Sequence, residues 1–422
     1  MKVLIKKAKI INAGSPHHLK QRDILVIDGV ITKIGKIDEA ADQIIKGKEL
    51  YVSTGFMDLR TFSKEPGQEA METLESLSRA AAKGGYSDLL IMPNTDPVIQ
   101  SKGVINYLKN SSKLTQVNFH AAAAVTLDNK GESFTEMWDL HEAGALAFTD
   151  GTKPLWNSDI LYKSLQYLYP RKALLMNRPE EPALAMFGQM HEGVTSTHMG
   201  TKGIPSEAEE IMIMRDLKLL EYADFESERP LLHFSCVSTA SGLARIRKAK
   251  QKGLPVSCDI AAHQLAFTDE DLGGFDTNLK VSPPFRSKKD IKALQKGIED
   301  GTIDAIVSDH NPLDEEHKNM EFDLAEFGVI GLQTAFAAAL TYSGLQVENL
   351  IPLFTESPRN LLEMTQPLIN ENVEANLTVL DAAQTFIFTE DMIESKSKNS
   401  PFIGKELKGK ILATFNKRMH TL

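Results

Sequence analysis

Short apolar runs recur through the middle of this chain, each followed by a stretch patterned for a helix. Leu89-Leu90-Ile91-Met92, Ala145-Leu146-Ala147-Phe148, Ala173-Leu174-Leu175-Met176, Leu231-Leu232-His233-Phe234 and Ala305-Ile306-Val307 read as strands buried on both faces. Strands alternating with helices in this way predict a parallel sheet or barrel. The best-marked helix follows Pro205. There Ser206 and Glu209 read as a capping box ahead of an apolar series of Ile211, Met214 and Leu217.

The two ends are patterned differently. Val3-Leu4-Ile5, Lys9-Ile10-Ile11, Ile24-Leu25-Val26-Ile27 and Val30-Ile31-Thr32-Lys33-Ile34 are β-type runs, with Asp28-Gly29 placed as a two-residue hairpin turn. A second β-rich stretch holds Leu377-Thr378-Val379-Leu380 and Lys410-Ile411-Leu412-Ala413-Thr414. Neither end is long enough for a core of its own, so the two are expected to build one small β-unit together. Ser395–Ser400 reads as a short polar loop, and no internal repeat is present.

With 422 residues the chain has room for one large α/β barrel and a smaller appendage. A net charge of −10 argues against a nucleic-acid role, because no basic field exists to displace phosphate counterions. The basic run Arg245–Lys252 reads as a solvated helix face. Two cysteines, Cys236 and Cys258, exclude a disulfide framework and suit a reducing cytoplasm. No apolar run is long enough to span a bilayer, and the first residues lack the pattern of a signal peptide.

Candidate chemistry centres on residues 55–67, which read GFMDLRTFSKEPG. Further along come Met92-Pro93-Asn94-Thr95-Asp96-Pro97, then Gly301-Thr302-Ile303-Asp304 with Ser308-Asp309-His310-Asn311-Pro312-Leu313. Gly328-Val329-Ile330-Gly331-Leu332-Gln333-Thr334 and Asn399-Ser400-Pro401-Phe402 with Gly404 complete the series. In order and spacing these segments resemble the dihydroorotase family, zinc-dependent amidohydrolases of pyrimidine synthesis. The family's counterparts are G-F-x-D-x-H-x-H-x-R-E/D-P-G, M-P-N-T-x-P, G-T-I-D with T-D-H-A-P-H, G-I-V-G-L-E-T and N-T-P-F-x-G. The resemblance covers nearly the whole chain. It implies a TIM-type (β/α)₈ barrel over residues 53–365, with a small composite β-sandwich built from 1–52 and 366–422.

The resemblance also places the family's site, and the site is altered. His-x-His on a strand sets two imidazoles on one face, where both reach one cation. Here those positions are Arg60 and Phe62, neither of which has a lone pair to give. Aligning Met190-His191-Glu192-Gly193 with the family's H-A-E-D region puts Arg178 at a third histidine position. Aligning His233 and Val237-Ser238-Thr239 with H-I-x-H-V-S puts Cys236 at a fourth. The substrate arginine appears as Lys64, the substrate asparagine of K-V-N-P-P-L-R as Ser282, and the last histidine of D-H-A-P-H as Leu313. Asp309 stands at the catalytic carboxylate and Asp150 near the bridging aspartate, while Asp58, Asn94, His233 and His263 remain in the expected pocket.

Zinc hydrolysis needs several neutral donors and a bound water of lowered pKa, so no metal is expected at this mouth. Asp309 then reads as a vestige of the catalytic carboxylate, in a salt bridge to Arg60 or Arg178. Cys236 reads as a small buried filler, and Phe62 fills the space of metal and imidazole. His233 and Cys236 lie three apart on a strand, so they should face opposite ways and form no thiol–imidazole pair. No G-x-S-x-G elbow, phosphate loop or H-E-x-x-H motif is present.

Three functions follow as expectations. The first is a cytoplasmic, metal-free, non-catalytic dihydroorotase homologue that acts as a homo-oligomer or as an assembly partner of an aspartate carbamoyltransferase. Such inactive companions occur in the family. The second is a divergent zinc dihydroorotase or related cyclic-amide hydrolase, opening dihydroorotate reversibly to N-carbamoyl-aspartate. The third is a module in which Arg60, Lys64 and Arg178 gather a small anionic ligand.

Overall fold

A computed structural model describes all residues 1–422. Eight strands pair in parallel and in chain order: Phe56–Thr61, Tyr86–Ile91, Asn118–Ala123, Ala145–Phe148, Leu174–Asn177, Leu232–Phe234, Val256–Ala261 and Ala305–Val307. A parallel bridge between Thr61 and His310 brings the last strand back to the first, so the sheet is a nearly closed barrel. Residues alternate across its wall as period-2 geometry requires. Met57, Leu59, Leu90, Met92, Ala122 and Ala147 pack inside. Phe56, Leu89 and Ile91 pack outward with Leu77 and Leu108 of the surrounding helices. The TIM-type expectation stands.

The strands of both ends join one nine-stranded sheet. Leu50–Ser53 pairs in parallel with Lys2–Ile11 on one side and antiparallel with Leu377–Ile387 on the other, which ties residues near the start to residues near the end. Val3, Ile5, Ile24, Val26, Val379 and Phe415 belong to its separate core. The Asp28-Gly29 turn forms as read, with φ of 48° and 76°. Both residues are left-handed, as the two-residue turn between twisted strands demands, and glycine takes that conformation without penalty.

One local expectation is corrected. The helix after Pro205 spans Ser206–Ala223, but no side chain caps it, and Ser206 is already its first residue. Glu209 turns inward instead, where its carboxylate accepts from the backbone N and hydroxyl of both Ser238 and Thr239. Burying that group together with Asp216 sets the rotation of the helix. Met212, Ile213 and Leu220 therefore face the core, while Ile211 and Met214 face outward. The polar stretch Ser395–Ser400 is a loop, as read, and most of it is turned inward. Ser395, Ser397, Asn399 and Ser400 are buried against the barrel, with Ser395 Oγ donating to Glu72 and Ser397 Oγ to the Met71 carbonyl. A polar run can be interior where each group finds a partner. No helix is long and apolar enough to cross a membrane.

Candidate functional site

The C-terminal ends of the barrel strands carry the substituted positions, where a barrel of this type holds its chemistry. Arg60, near the end of the first strand, and Asp309, just past the last, meet there. Arg60 Nε lies 2.8 Å from Asp309 Oδ1, and both side chains are almost wholly buried. The guanidinium also donates to the Gly151 carbonyl and Ser235 Oγ at 3.4 Å, and it lies 5.2 Å from the Phe62 ring centre. Burial works against its charge. Asp309 and Asp259, as acidic neighbours, help to offset that and hold Arg60 above its ordinary range. Asp309 sits at φ 46°, a left-handed conformation that costs a non-glycine residue energy and that its surroundings must impose.

The remaining positions sort into those that face this pair and those that do not. Cys236 faces it, and burial pushes its thiol well above the ordinary value, with Asp309 adding to the effect. His263 also faces it, with Nε2 4.0 Å from Asp309 Oδ2 and without a hydrogen-bond partner. Burial pulls this imidazole down to about 4, so it is neutral near pH 7. Arg178 does not join the pair. Glu180, two residues on, takes it in a forked pair at 3.1 and 2.8 Å, and Arg178 also donates to the Thr152 carbonyl and Ser282 Oγ. Of the two partners expected for Asp309, only Arg60 reaches it.

The other pocket residues are taken up by neighbours. Asp58 accepts from the backbone N and hydroxyl of Ser308 and from Thr61, which pins the first strand to the last. Burial raises its carboxyl to about 7, against those same hydrogen bonds. Asp150 accepts from Val125 N, Thr126 N and Thr126 Oγ1, and burial raises it to about 6. Asn94 clasps the neighbouring turn, donating to the Asp150 carbonyl and accepting from Thr152 N. His233 is fully buried between Ser257 Oγ and Asp259 Oδ2, each at 2.8 Å, while Cys236 lies on the Arg60 side. Lys64 is buried with φ 62°, its ammonium has no hydrogen-bond partner, and burial lowers its pKa.

Asp259 is the residue the sequence reading missed. It accepts from His233 Nε2, Ser235 Oγ and Cys236 N, and so it orients the segment that carries Cys236. A carboxylate inside the apolar strand Val256–Ala261 was the signal that could have found it.

These residues do not fit a zinc ion. Of the four positions that the resemblance assigns to zinc ligands, three hold Arg60, Phe62 and Arg178, which donate no lone pair, and Cys236 alone offers a donor atom. No three His, Cys, Asp or Glu side chains converge as ligands anywhere in the chain. The main cavities also lie away from the Arg60–Asp309 pair, which is packed over rather than open.

Comparison with known proteins gives a consistent kinship. The Dihydro-orotase-like family model matches residues 49–227. A dihydroorotase of Pelotomaculum thermopropionicum is 36% identical over 423 residues, covering 98% of this chain and 97% of that protein. A dihydroorotase of Ruminiclostridium cellulolyticum is 37% identical over 415 residues, with 97% and 96% covered. Among solved structures, the L-hydantoinase (dihydropyrimidinase) of Arthrobacter aurescens superposes with a TM-score of 0.82 at 23% identity. It covers 98% of this chain and 94% of its own.

Proposed function

This chain belongs to the dihydroorotase family, and we propose that it is a member without zinc or turnover, serving pyrimidine biosynthesis as a structural partner. The observation that carries this reading is the buried Arg60–Asp309 pair. The carboxylate that would handle a proton is held by a guanidinium, and that guanidinium stands where a metal ligand would stand. A general base needs an activated water or hydroxyl within reach, and Arg60, Phe62 and Arg178 have no lone pair with which to hold an ion that would activate one. The large rigid barrel suits a role as a scaffold. By family resemblance an aspartate carbamoyltransferase or a second copy of this chain is the partner, in the cytoplasm.

A second reading is favoured by the names of the relatives, which are called dihydroorotases. In it the chain is a divergent hydrolase of cyclic amides, and zinc at this mouth would have to find ligands other than the family's. A third is favoured by Lys64, a largely buried lysine whose ammonium makes no hydrogen bond within the chain and would be free to hold a small anion. A dihydroorotate hydrolysis and cyclisation assay at high protein concentration separates the first two. The proposal expects no turnover with or without added zinc. Turnover that Asp309→Asn abolishes while the fold is intact would establish the second reading.

A further inference from the structure

Two phenylalanines occupy backbone positions that ask for glycine, and both stand over one cavity. Ala185-Met186-Phe187-Gly188 is a type II turn, in which Gly188 N donates to the Ala185 carbonyl at 2.8 Å. Met186 has φ −51° and ψ 126°, and Phe187 has φ 63°. The third residue of such a turn needs a positive φ, which a bulky side chain resists. Phe275 ends the helical turn Asp269–Gly274 at φ 58° and ψ 27°, the left-handed closing position that favours glycine. No other aromatic residue of the chain has a positive φ. Local geometry accounts for neither ring, and burial does not reward them, since Phe187 is 77% exposed and Phe275 48%. Backbone strain held in place for a side chain left in water points to something that covers it.

The cavity, of about 600 Å³, is an open slot with two unlike walls. Phe187 and Lys202 belong to one wall, where the Lys202 ammonium lies 5.8 Å from the Phe187 ring centre and donates to the Met186 carbonyl. Phe275, Glu321, Phe322 and Asp323 belong to the other, where the Phe275 and Phe322 rings meet edge to face at 5.9 Å. Exposed Met186 and Leu324 extend the apolar surface on either side. The charges thus divide by wall, one cation against two anions. All three are exposed, and none makes an ion pair within the chain.

We propose that this face is a two-fold interface between two copies of the chain, with Phe187 of each copy seated in the slot of the other. A two-fold contact uses one patch twice, so the patch must be complementary to itself. This one carries both halves of such a match, a projecting ring beside a slot and a cation across from two anions. Turned about a two-fold axis, a second copy sets its Phe187 between the rings of the slot and its Lys202 against Glu321 and Asp323. The net charge of −10 makes copies repel in general, and here each brings a cation to the other's acids. An aromatic ring desolvated in an apolar slot is the kind of anchor that dominates an interface.

Sedimentation equilibrium of the full chain, from micromolar to hundreds of micromolar, tests it. The wild type should move from the 46.7 kDa of one chain towards twice that mass. Phe187→Gly removes the ring and suits the turn, so the variant should stay folded by circular dichroism. Its dimer dissociation constant should rise by about 30-fold or more, the loss expected of an anchor residue. Lys202→Glu should weaken the dimer, and adding Glu321→Lys with Asp323→Lys should restore it. Dihydroorotate turnover by a wild-type dimer that Phe187→Gly breaks would end the structural reading above, on which this surface rests for its role, and leave the contact standing. A wild type that remains monomeric throughout, or that assembles beyond two copies, would overturn the proposal. So would a folded Phe187→Gly that dimerises as the wild type does, or a charge-swapped variant that does not recover.

Discussion

Arg60 and Asp309 come from opposite ends of the barrel sequence and meet at 2.8 Å, almost fully buried, where the first and last strands close on each other. The pair does two things that a bound cation would do. It neutralises the carboxylate at the mouth, and it links the strands that complete the barrel. A guanidinium suits this because it stays charged and projects several donors in one plane, here shared with Gly151 and Ser235.

Removing one partner should therefore be costly. Asp309→Asn leaves Arg60 buried with no full counter-charge, and a loss of about 3–5 kcal/mol in unfolding free energy is expected. A urea denaturation midpoint on both proteins measures it. A change below 1 kcal/mol would mean that water or another group already satisfies the guanidinium.

Replacing both partners should be milder than replacing either. A buried ion pair exchanged for apolar side chains of similar volume is often neutral or stabilising by about 1–4 kcal/mol. Arg60→Met combined with Asp309→Leu should thus be more stable than each single variant. The coupling energy from this double-mutant cycle is expected at 2 kcal/mol or more, using the same denaturation measurement.

Asp58 supplies a pH test. Its folded carboxyl stands at about 7, raised by burial, against about 3.9 in an unfolded chain. The folded state therefore holds a proton that the unfolded state has released between these values, and Asp58 costs stability as pH rises through that window. Asp58→Asn should gain relative to wild type on going from pH 4 to pH 8, by a few kcal/mol. Denaturation of the two proteins across this range checks it, and a difference independent of pH would contradict the assignment.

Much of this architecture was legible in the sequence, and the reasons differ by element. Barrel strands such as Leu89–Met92 are apolar on both faces, a pattern few other structures require. The Arg60–Asp309 pairing followed from two strand ends that the barrel must bring together. Arg178 was harder, because a carboxylate two residues away captured it and local geometry outranked the distant partner. Glu209 was misread as a cap because spacing alone does not say whether a carboxylate faces its own helix end or the neighbouring Ser238 and Thr239. Asp259 went unnoticed inside an apolar strand, although a charge in such a place is itself a sign of a buried network.

The most direct test of the central claim is the metal content of the purified full-length protein, produced in zinc-supplemented medium without a metal-binding tag and dialysed free of loose ions. If the Arg60 guanidinium replaces the ion at the mouth, zinc and other transition metals should remain well below one equivalent per chain, and a chelator should leave the melting temperature unchanged. One or two tightly held equivalents of zinc, lost on changing Cys236 or Asp309 to alanine, would contradict it.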